Sequence, residues 1–101
     1  MTVAAFAENE ADLSYVLSWS GDSGTTWISM LDNTSAITPG TFPSNPLLVR
    51  ADITTGGNET FTWSTPVATF PRGSYLIRVE AYRRTNALHY AYHQEKIYID
   101  R

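Results

Sequence analysis

The stretch Phe61–Arg84 reads FTWSTPVATFPRGSYLIRVEAYRR and decides the fold class. Its second half, Ser74–Arg84, alternates between two sets of side chains, with Tyr75, Ile77, Val79 and Ala81 in one set and Leu76, Arg78, Glu80 and Tyr82 in the other. A sustained period of two predicts a β-strand with one buried face. Glu59–Ser64 is a shorter predicted strand, and the prolines and glycine between the two strands turn the chain.

The rest of the chain continues the same pattern. Five more segments are predicted strands: Thr2–Ala7, Leu13–Ser20, Thr26–Asp32, Leu47–Ile53 at a sheet edge, and Tyr92–Asp100. The segment Asn33–Pro46 contains three prolines and many hydroxyl side chains, so it is the longest predicted loop. With no helical period, the sequence predicts an all-β, antiparallel β-sandwich of about seven strands, forming one domain over residues 1–101.

The alternation also predicts which side chains form the core. They are the apolar residues on one face of each strong strand: Tyr15, Leu17, Trp19, Phe61, Trp63, Tyr75, Ile77 and Val79, with Trp27 packed beneath its own turn. The other face of each strand is expected to meet solvent.

Composition excludes several classes of function. The chain has 101 residues, no cysteine and a net charge of −3, so it has neither a disulfide nor a thiolate metal site, nor the dense basic face of a nucleic-acid binder. No apolar run approaches the ~18 residues of a membrane span. Met1–Ala7 lacks the basic start and apolar core of a signal peptide, so an exported parent would contribute this chain as a mature or excised piece.

The sharpest local motif is SGDSGTTW, residues 20–27, which fits S-x-D-x-G-x-T-W at every defined position through Ser20, Asp22, Gly24, Thr26 and Trp27. Asp22 is expected to accept backbone N–H groups across the turn, and Gly24 to take a conformation that disfavours a side chain. We interpret the motif as a structural hairpin. The alternative is a weak Ca²⁺ site at Asp22, although one carboxylate is far from the six to eight oxygens that calcium takes.

The motif resembles the Asp-box of sialidases and other β-propellers, but 101 residues are too few for a propeller. The chain also resembles the fibronectin type III-like and Ig-like modules of exported microbial proteins. The residues that carry this resemblance are Tyr15-Val16-Leu17, Asp22–Trp27, Trp63-Ser64-Thr65-Pro66 and Gly73–Ala81. The resemblance implies Greek-key connections and a tyrosine corner, in which Tyr75 bonds back to the preceding loop.

The chain departs from that family at its start. The family has two strands before the one that carries Tyr15, whereas only Thr2–Ala7 is available here. A missing strand would leave unpaired backbone groups at a sheet edge. We therefore expect pairing with a neighbouring domain or with another copy of the chain, unless Leu47–Ile53 fills the gap.

Four tyrosines near the end of the chain are candidate contacts for a ligand or partner: Tyr82, Tyr90, Tyr92 and Tyr98. An exposed stripe of aromatic rings could stack on sugar rings or contact a protein. The alternative is ordinary cross-strand packing of tyrosines.

The sequence offers no catalytic constellation. His89 and His93 lie ~13 Å apart on a strand, too far to share a metal ion. Glu80 and Glu95 could be cross-strand neighbours, but ion pairing with nearby arginine and lysine on solvated faces is the favoured interpretation. Neither a G-x-S-x-G elbow nor a phosphate loop is present.

These observations predict a non-catalytic accessory module, without cofactor or metal, in a secreted or cell-surface protein. It would act as a spacer or protein-contact domain, with self-association through an open sheet edge. The alternative is a carbohydrate-binding module that uses the exposed aromatics or Trp27 to hold a polysaccharide. Neither a nucleic-acid partner nor membrane insertion is expected.

Overall fold

A computed structural model describes residues 2–6, 13–51, 58–83 and 88–101, and it is all-β. The strands of these residues, in chain order, are β1 (Thr2–Phe6), β2 (Leu13–Ser20), β3 (Trp27–Ser29), β4 (Ala36–Ile37), β5 (Arg50–Ala51), β6 (Asn58–Thr62), β7 (Gly73–Arg83) and β8 (Leu88–Ile99). A 3₁₀ turn at Pro46–Leu48 is the only helical segment in this part of the chain. The alternating stretch that decided the fold class is therefore a long strand, β7.

The larger sheet is antiparallel, curls like half of a barrel and has the order β4-β3-β2-β7-β8. Strand β7 pairs with β2 along the whole length of β2, from Leu13 opposite Arg83 to Ser20 opposite Leu76. Because β7 occupies that side, β3 and β5 share the other edge of β2, β3 at its end and β5 near its start. Strand β8 pairs with the free side of β7 and ends the order.

Strands β1 and β6 pair antiparallel in a separate two-stranded sheet, with Val3 opposite Phe61. The segment expected to leave an open edge thus has a partner strand along Thr2–Phe6. Ala7 of the predicted first strand lies outside the described residues. Leu47–Ile53 does not pair with β1 within this part of the chain, since β5 pairs with β2.

Several strand and loop predictions need correction. The last strand begins at Leu88 and not at Tyr92, and the strand predicted over Thr26–Asp32 is only Trp27–Ser29. The predicted strand Leu47–Ile53 begins inside the 3₁₀ turn, which Asn45 caps by accepting the Leu47 N–H at 3.0 Å. Of this segment only Arg50–Ala51 forms a strand, and residues 52 and 53 are not described. The predicted loop Asn33–Pro46 contains β4, which pairs with β3 because Ile37 has a buried site there.

The larger sheet is buried on both faces around β2 and β7. One face carries the first core, formed by Leu13, Tyr15, Leu17, Met30, Trp63, Phe70, Tyr75, Ile77, Ala81 and Ile99, with Trp19, Val79 and Ile97 partly buried against it. The opposite face carries a second core, formed by Val16, Trp27, Ile37, Leu48 and Tyr82, with Phe42 and Leu76 against it. The second core lies beneath the segment between β3 and β5.

Most of the predicted core is confirmed. Tyr15, Leu17, Trp63, Tyr75 and Ile77 are buried in the first core, and Trp19 and Val79 pack against it half-buried. The Phe61 side chain lies outside the described residues. The second face was expected to meet solvent, and this expectation is wrong for the whole length of β2, from Ser14 to Ser20, and for the end of β7.

Candidate functional site

The densest group of polar and aromatic side chains lies on the second face of β7 and β8. Alternation along β7 places Arg78, Glu80 and Tyr82 on this face. Across the ladder, Tyr92 lies opposite Glu80 and His89 lies opposite Tyr82, because a register shift between Ala81 and Tyr82 realigns the strands. We call Arg78, Glu80, Tyr82, His89 and Tyr92 the Glu80 cluster.

Glu80 is the centre of this cluster and is fully buried. Its Oε2 accepts hydrogen bonds from the Tyr82 hydroxyl at 2.9 Å and from the Gly40 backbone N–H at 2.7 Å. His89 Nε2 lies 3.2 Å from the same oxygen, and Arg78 Nε lies 3.4 Å from Oε1, both in ion-pair range without hydrogen-bond geometry. A buried carboxylate therefore joins β7, β8 and the loop that contains Gly40.

Aromatic rings close the cluster on its outer side. The Tyr82 ring meets Phe42 at 5.3 Å and His89 at 5.0 Å between centroids, both edge to face. The Arg78 guanidinium lies 4.0 Å from the centroid of the Tyr92 ring, within cation–π range. These contacts separate Glu80 from solvent, so it cannot reach a substrate without movement of the loop or of these rings.

This environment changes the pKa of the Tyr82 phenol. Burial raises the pKa of Tyr82 well above its usual range, and the hydrogen bond to Glu80 and the charge of that carboxylate raise the pKa further. The Arg78 charge acts in the opposite direction. Tyr82 therefore stays protonated and acts as a hydrogen-bond donor, a structural role and not that of an acid or a nucleophile.

Two interpretations of this face are corrected by the structure. Tyr82 was expected in an exposed stripe, but it is only 1% exposed, because the loop carrying Phe42 covers this end of β7. Glu80 was expected on a solvated face near Glu95, but it is buried. Glu95 pairs instead with Ile77, on the first face of the sheet.

The remaining tyrosines of the predicted stripe lie on β8. Tyr92 and Tyr98 are each 59% exposed and six residues apart, so they lie on the same face about 20 Å from each other. Gln94 and Lys96 separate them on that face. The Tyr90 side chain lies outside the described residues. Two of the four predicted contact residues are thus available to a partner.

The two histidines lie on different faces of β8. His89 faces the Glu80 cluster, whereas His93 pairs with Val79 on the first face and lies 3.8 Å from Glu95 Oε2. The register shift between the two positions causes this separation. Over residues 2–6, 13–51, 58–83 and 88–101, no three His, Asp or Glu side chains form a group that could hold a metal ion.

The Ser20–Trp27 turn has the hydrogen bonds that its motif suggests. Asp22 Oδ1 accepts the Thr26 N–H at 2.8 Å and the Ser20 hydroxyl at 2.7 Å, and Ser20 Oγ accepts the Gly24 N–H at 2.9 Å. Gly24 has φ = +93°, and the Trp27 indole N–H donates to its carbonyl at 3.1 Å. The Thr26 hydroxyl and N–H lower the pKa of Asp22 to about 2. All these contacts hold the turn itself, and Trp27 is buried, so it cannot stack on a sugar.

A second aspartate turn, which was not predicted from the sequence, follows β3. Asp32 Oδ1 accepts the N–H groups of Thr34 and Ser35, each at 2.9 Å, and the Ser35 hydroxyl lowers the pKa of Asp32 to about 2. Inside this turn Asn33 has φ = +59°, and its Oδ1 accepts the indole N–H of buried Trp63 at 2.8 Å. The sequence D-N-T-S is an Asx-turn signal that could have indicated this feature.

The described residues form two grooves that bear on ligand binding. One of about 280 Å³ lies beside the Ser20–Trp27 turn and is lined by Ser23, Ser74, Leu76 and Lys96, next to Tyr98, which pairs with Ser74. The other, of about 340 Å³, lies along the loop between β4 and β5 and is lined by Phe42 and Leu48 among others. Only the first groove adjoins one of the exposed predicted tyrosines.

Tyr75 lies on the opposite face of β7. Its hydroxyl donates to the carbonyl of Pro71 at 2.7 Å, which ties the start of the strand to the loop before it. The ring contacts Trp19 and Phe70 edge to face, at 6.2 and 5.5 Å between centroids. Tyr75 therefore has its polar atom and its ring both engaged within the fold.

Comparisons with known proteins add no relative to these observations. No protein-family model, no curated protein and no solved structure matches the chain. None of the described residues forms a helix of the length and apolarity that a membrane crossing requires. Any assignment of function therefore rests on the geometry of the chain itself.

Proposed function

We propose that the chain is a non-catalytic interaction module that contacts a protein partner through β8. The observation that carries this proposal is the exposure of β8: every side chain from Ala91 to Lys96 is exposed, although the strand alternates between two faces. Only β7 pairs with β8 among the described strands. A long strand with one free edge offers backbone donors and acceptors to an added strand.

The distribution of exposed apolar side chains also favours β8 as the contact surface. Of the five large hydrophobic side chains exposed in the described part of the chain, Leu88, Tyr92 and Tyr98 lie on β8. Tyrosine is enriched in protein interfaces because its ring offers contact area while its hydroxyl stays hydrogen-bonded. A partner strand along β8 would bring such contacts to both faces of the extended sheet.

The architecture we propose is a fibronectin type III-like or Ig-like sandwich, in which the β1–β6 pair and the larger sheet are the two layers. Support comes from the Tyr75–Pro71 hydrogen bond, which has the pattern of a tyrosine corner, and from burial of Trp63 just after β6. Modules of this kind act as spacers or contact domains of secreted and cell-surface proteins. We propose the same location and role here, without enzymatic activity or cofactor.

Site-specific photocrosslinking tests the contact surface. A photoreactive phenylalanine analogue at Tyr92, in the complete parent protein and in its own cells, should cross-link to a protein within reach of β8. The same analogue at Ala36, exposed on β4 at the opposite end of the strand order, is the matched control. Equal cross-linking from both positions, or none from Tyr92, would refute β8 as the contact surface.

The second candidate is a carbohydrate-binding module, favoured by one observation. The exposed Tyr98 ring lies beside the groove formed by Ser23, Ser74 and Lys96, which combines a stacking platform with hydrogen-bond donors. Affinity electrophoresis in gels containing polysaccharides tests it. Retardation that Tyr98→Ala abolishes and Tyr92→Ala preserves would assign the sugar site to this groove.

A further inference from the structure

We infer that the partner strand at β8 is the β8 of a second copy of this chain, paired antiparallel about a two-fold axis at Gln94. The inference rests on the proposed contact function of β8 and adds the identity of the partner and the register. It follows from the faces on which β8 places its charged side chains.

Symmetry restricts the registers that are available. Two copies of one strand can pair side by side and antiparallel only about an axis perpendicular to the sheet, and this axis keeps each face continuous. Directly opposed residues must then lie on the same face, so each register is centred on a single residue facing its own copy. The choice reduces to which residue of β8 lies at the centre.

Charge then selects among the four centres from His93 to Lys96, within the exposed run of β8. An axis at Glu95 or Lys96 would place two like charges face to face, which destabilises a strand pair. An axis at His93 would place Glu95 opposite Ala91 and leave the carboxylate without a partner across the interface. An axis at Gln94 places Glu95 opposite His93 of the other copy, twice by symmetry.

The Gln94 register also suits the other face and the ends of the interface. It places Lys96 of each copy opposite the exposed Tyr92 ring of the other, a ring already held in position by Arg78. It pairs Ala91 with the half-buried Ile97 on the face shared with the first core. The Gln94 amides face each other, and each Oε1, which accepts from Arg78 of its own chain at 3.0 Å, keeps a second lone pair for the amide N–H of the other copy.

The side chains that select the register are exposed to solvent and can reach a partner across an interface. His93 and Glu95 are 68% and 62% exposed, and their contact with each other, at 3.8 Å, is a solvated one. Their replacement should therefore leave the monomer folded. The resulting dimer would join two five-strand paths of the larger sheet into one continuous sheet and pair the outer edge of β8, which pairs with β7 alone among the described strands.

Charge exchange between two variants tests the register. His93→Glu sets a new carboxylate opposite Glu95 in its own dimer, and Glu95→Lys sets an ammonium group opposite His93, so each variant alone should dimerise about tenfold more weakly than the wild type. An equimolar mixture should form a heterodimer, because the carboxylate introduced in one chain then faces the ammonium group introduced in the other. Ala36→Glu, an exposed change on β4 at the opposite end of the strand order, should dimerise like the wild type.

Sedimentation equilibrium over a micromolar to millimolar range measures these constants, with circular dichroism as the check that each variant is folded. A wild-type chain that stays monomeric throughout refutes self-pairing, and so does a mixture that associates no better than its components. If the wild type is monomeric while Tyr92 still cross-links to another protein, self-pairing fails and the proposed contact function stands. If neither cross-linking nor dimerisation occurs, both fail.

Discussion

The Tyr82 hydroxyl donates a 2.9 Å hydrogen bond to Glu80, and both side chains are buried in the second face of the sheet. Two residues apart on one strand, they form the link between β7 and the loop that covers it, because Glu80 also accepts the Gly40 N–H. A buried carboxylate of this kind is costly unless its partners are all present. Loss of any of these partners should therefore lower the free energy of unfolding measurably.

Removal of the carboxylate should destabilise the fold strongly. Glu80→Ala leaves Arg78, whose side chain is 13% exposed, without its ion-pair partner and removes the acceptor of the Gly40 N–H. We expect a loss of about 3–5 kcal/mol in the free energy of unfolding, measured by urea denaturation. Glu95→Ala is the matched control, and its effect should stay within about 0.5 kcal/mol because that carboxylate is exposed. Equal effects of the two changes would contradict the buried role of Glu80.

Alkaline pH should act through Tyr82. The raised pKa means that the folded state holds the phenolic proton more tightly than the unfolded chain does. The resulting stability is fully present below the unfolded pKa of about 10 and is lost as the pH rises beyond that value. The absorbance change of phenol ionisation, compared between the wild type and Tyr82→Phe, should show one tyrosine that ionises later than a free phenol. A difference curve centred near the free value would contradict this.

Acid should act through the two aspartate turns. The pKa of Asp22 and that of Asp32 are each lowered from 3.8 to about 2 in the folded chain. Their contribution to stability is therefore present above the unfolded value and is lost as the pH falls from 3.8 towards 2. Urea midpoints measured across this window should fall less steeply for Asp22→Ala and Asp32→Ala than for the wild type. Parallel curves for all three proteins would show that neither turn carboxylate is linked to folding.

The part of this site that could be predicted is local in sequence. The Ser20–Trp27 turn was readable because its partners lie within four residues of one another, and the burial of Tyr75 and Ile77 followed from alternation along one strand. The burial of Glu80 and Tyr82 could not be predicted from the sequence. It depends on a loop 40 residues earlier in the chain, which folds over the second face. Apolar Ile37 and Phe42 within that loop were the available signal, since a loop with such residues needs a surface to cover.

The contact between Asn33 and Trp63 should matter more than a surface turn normally does. Trp63 is fully buried, so Trp63→Ala should cost about 3–5 kcal/mol, and a loss below about 1 kcal/mol would mean that the ring is not part of the core. Asn33→Ala removes the acceptor of the indole N–H and the amide donor to the Ser64 carbonyl, and it also places alanine at φ = +59°. Asn33→Gly removes the same two hydrogen bonds without strain, because glycine adopts this conformation freely. Thermal unfolding should therefore rank the stabilities as wild type, then Asn33→Gly, then Asn33→Ala.

In the loop between β4 and β5, the Gly40 amide should be the one most strongly protected from hydrogen exchange. From the sequence, Asn33–Pro46 is expected to show the fastest amide exchange, and strong protection through Thr38–Asn45 would contradict that expectation. The Gly40 N–H donates to a fully buried carboxylate at 2.7 Å, whereas the Thr41 N–H donates at 3.1 Å to the carbonyl of exposed Thr38, within an exposed turn. Hydrogen exchange should therefore find Gly40 protected relative to most of the loop.

In the exchange experiment, two variants distinguish loss of the Gly40–Glu80 hydrogen bond from a general loss of stability. Tyr82→Phe removes a neighbouring donor but leaves the Glu80 carboxylate in place, so protection of Gly40 should persist. Glu80→Gln keeps the size of the side chain but weakens the charge-assisted bond, so exchange at Gly40 should accelerate severalfold more than exchange in the central β2–β7 ladder. Uniform acceleration across the loop and ladder would instead indicate global destabilisation, and the anchoring role of Glu80 would then be refuted.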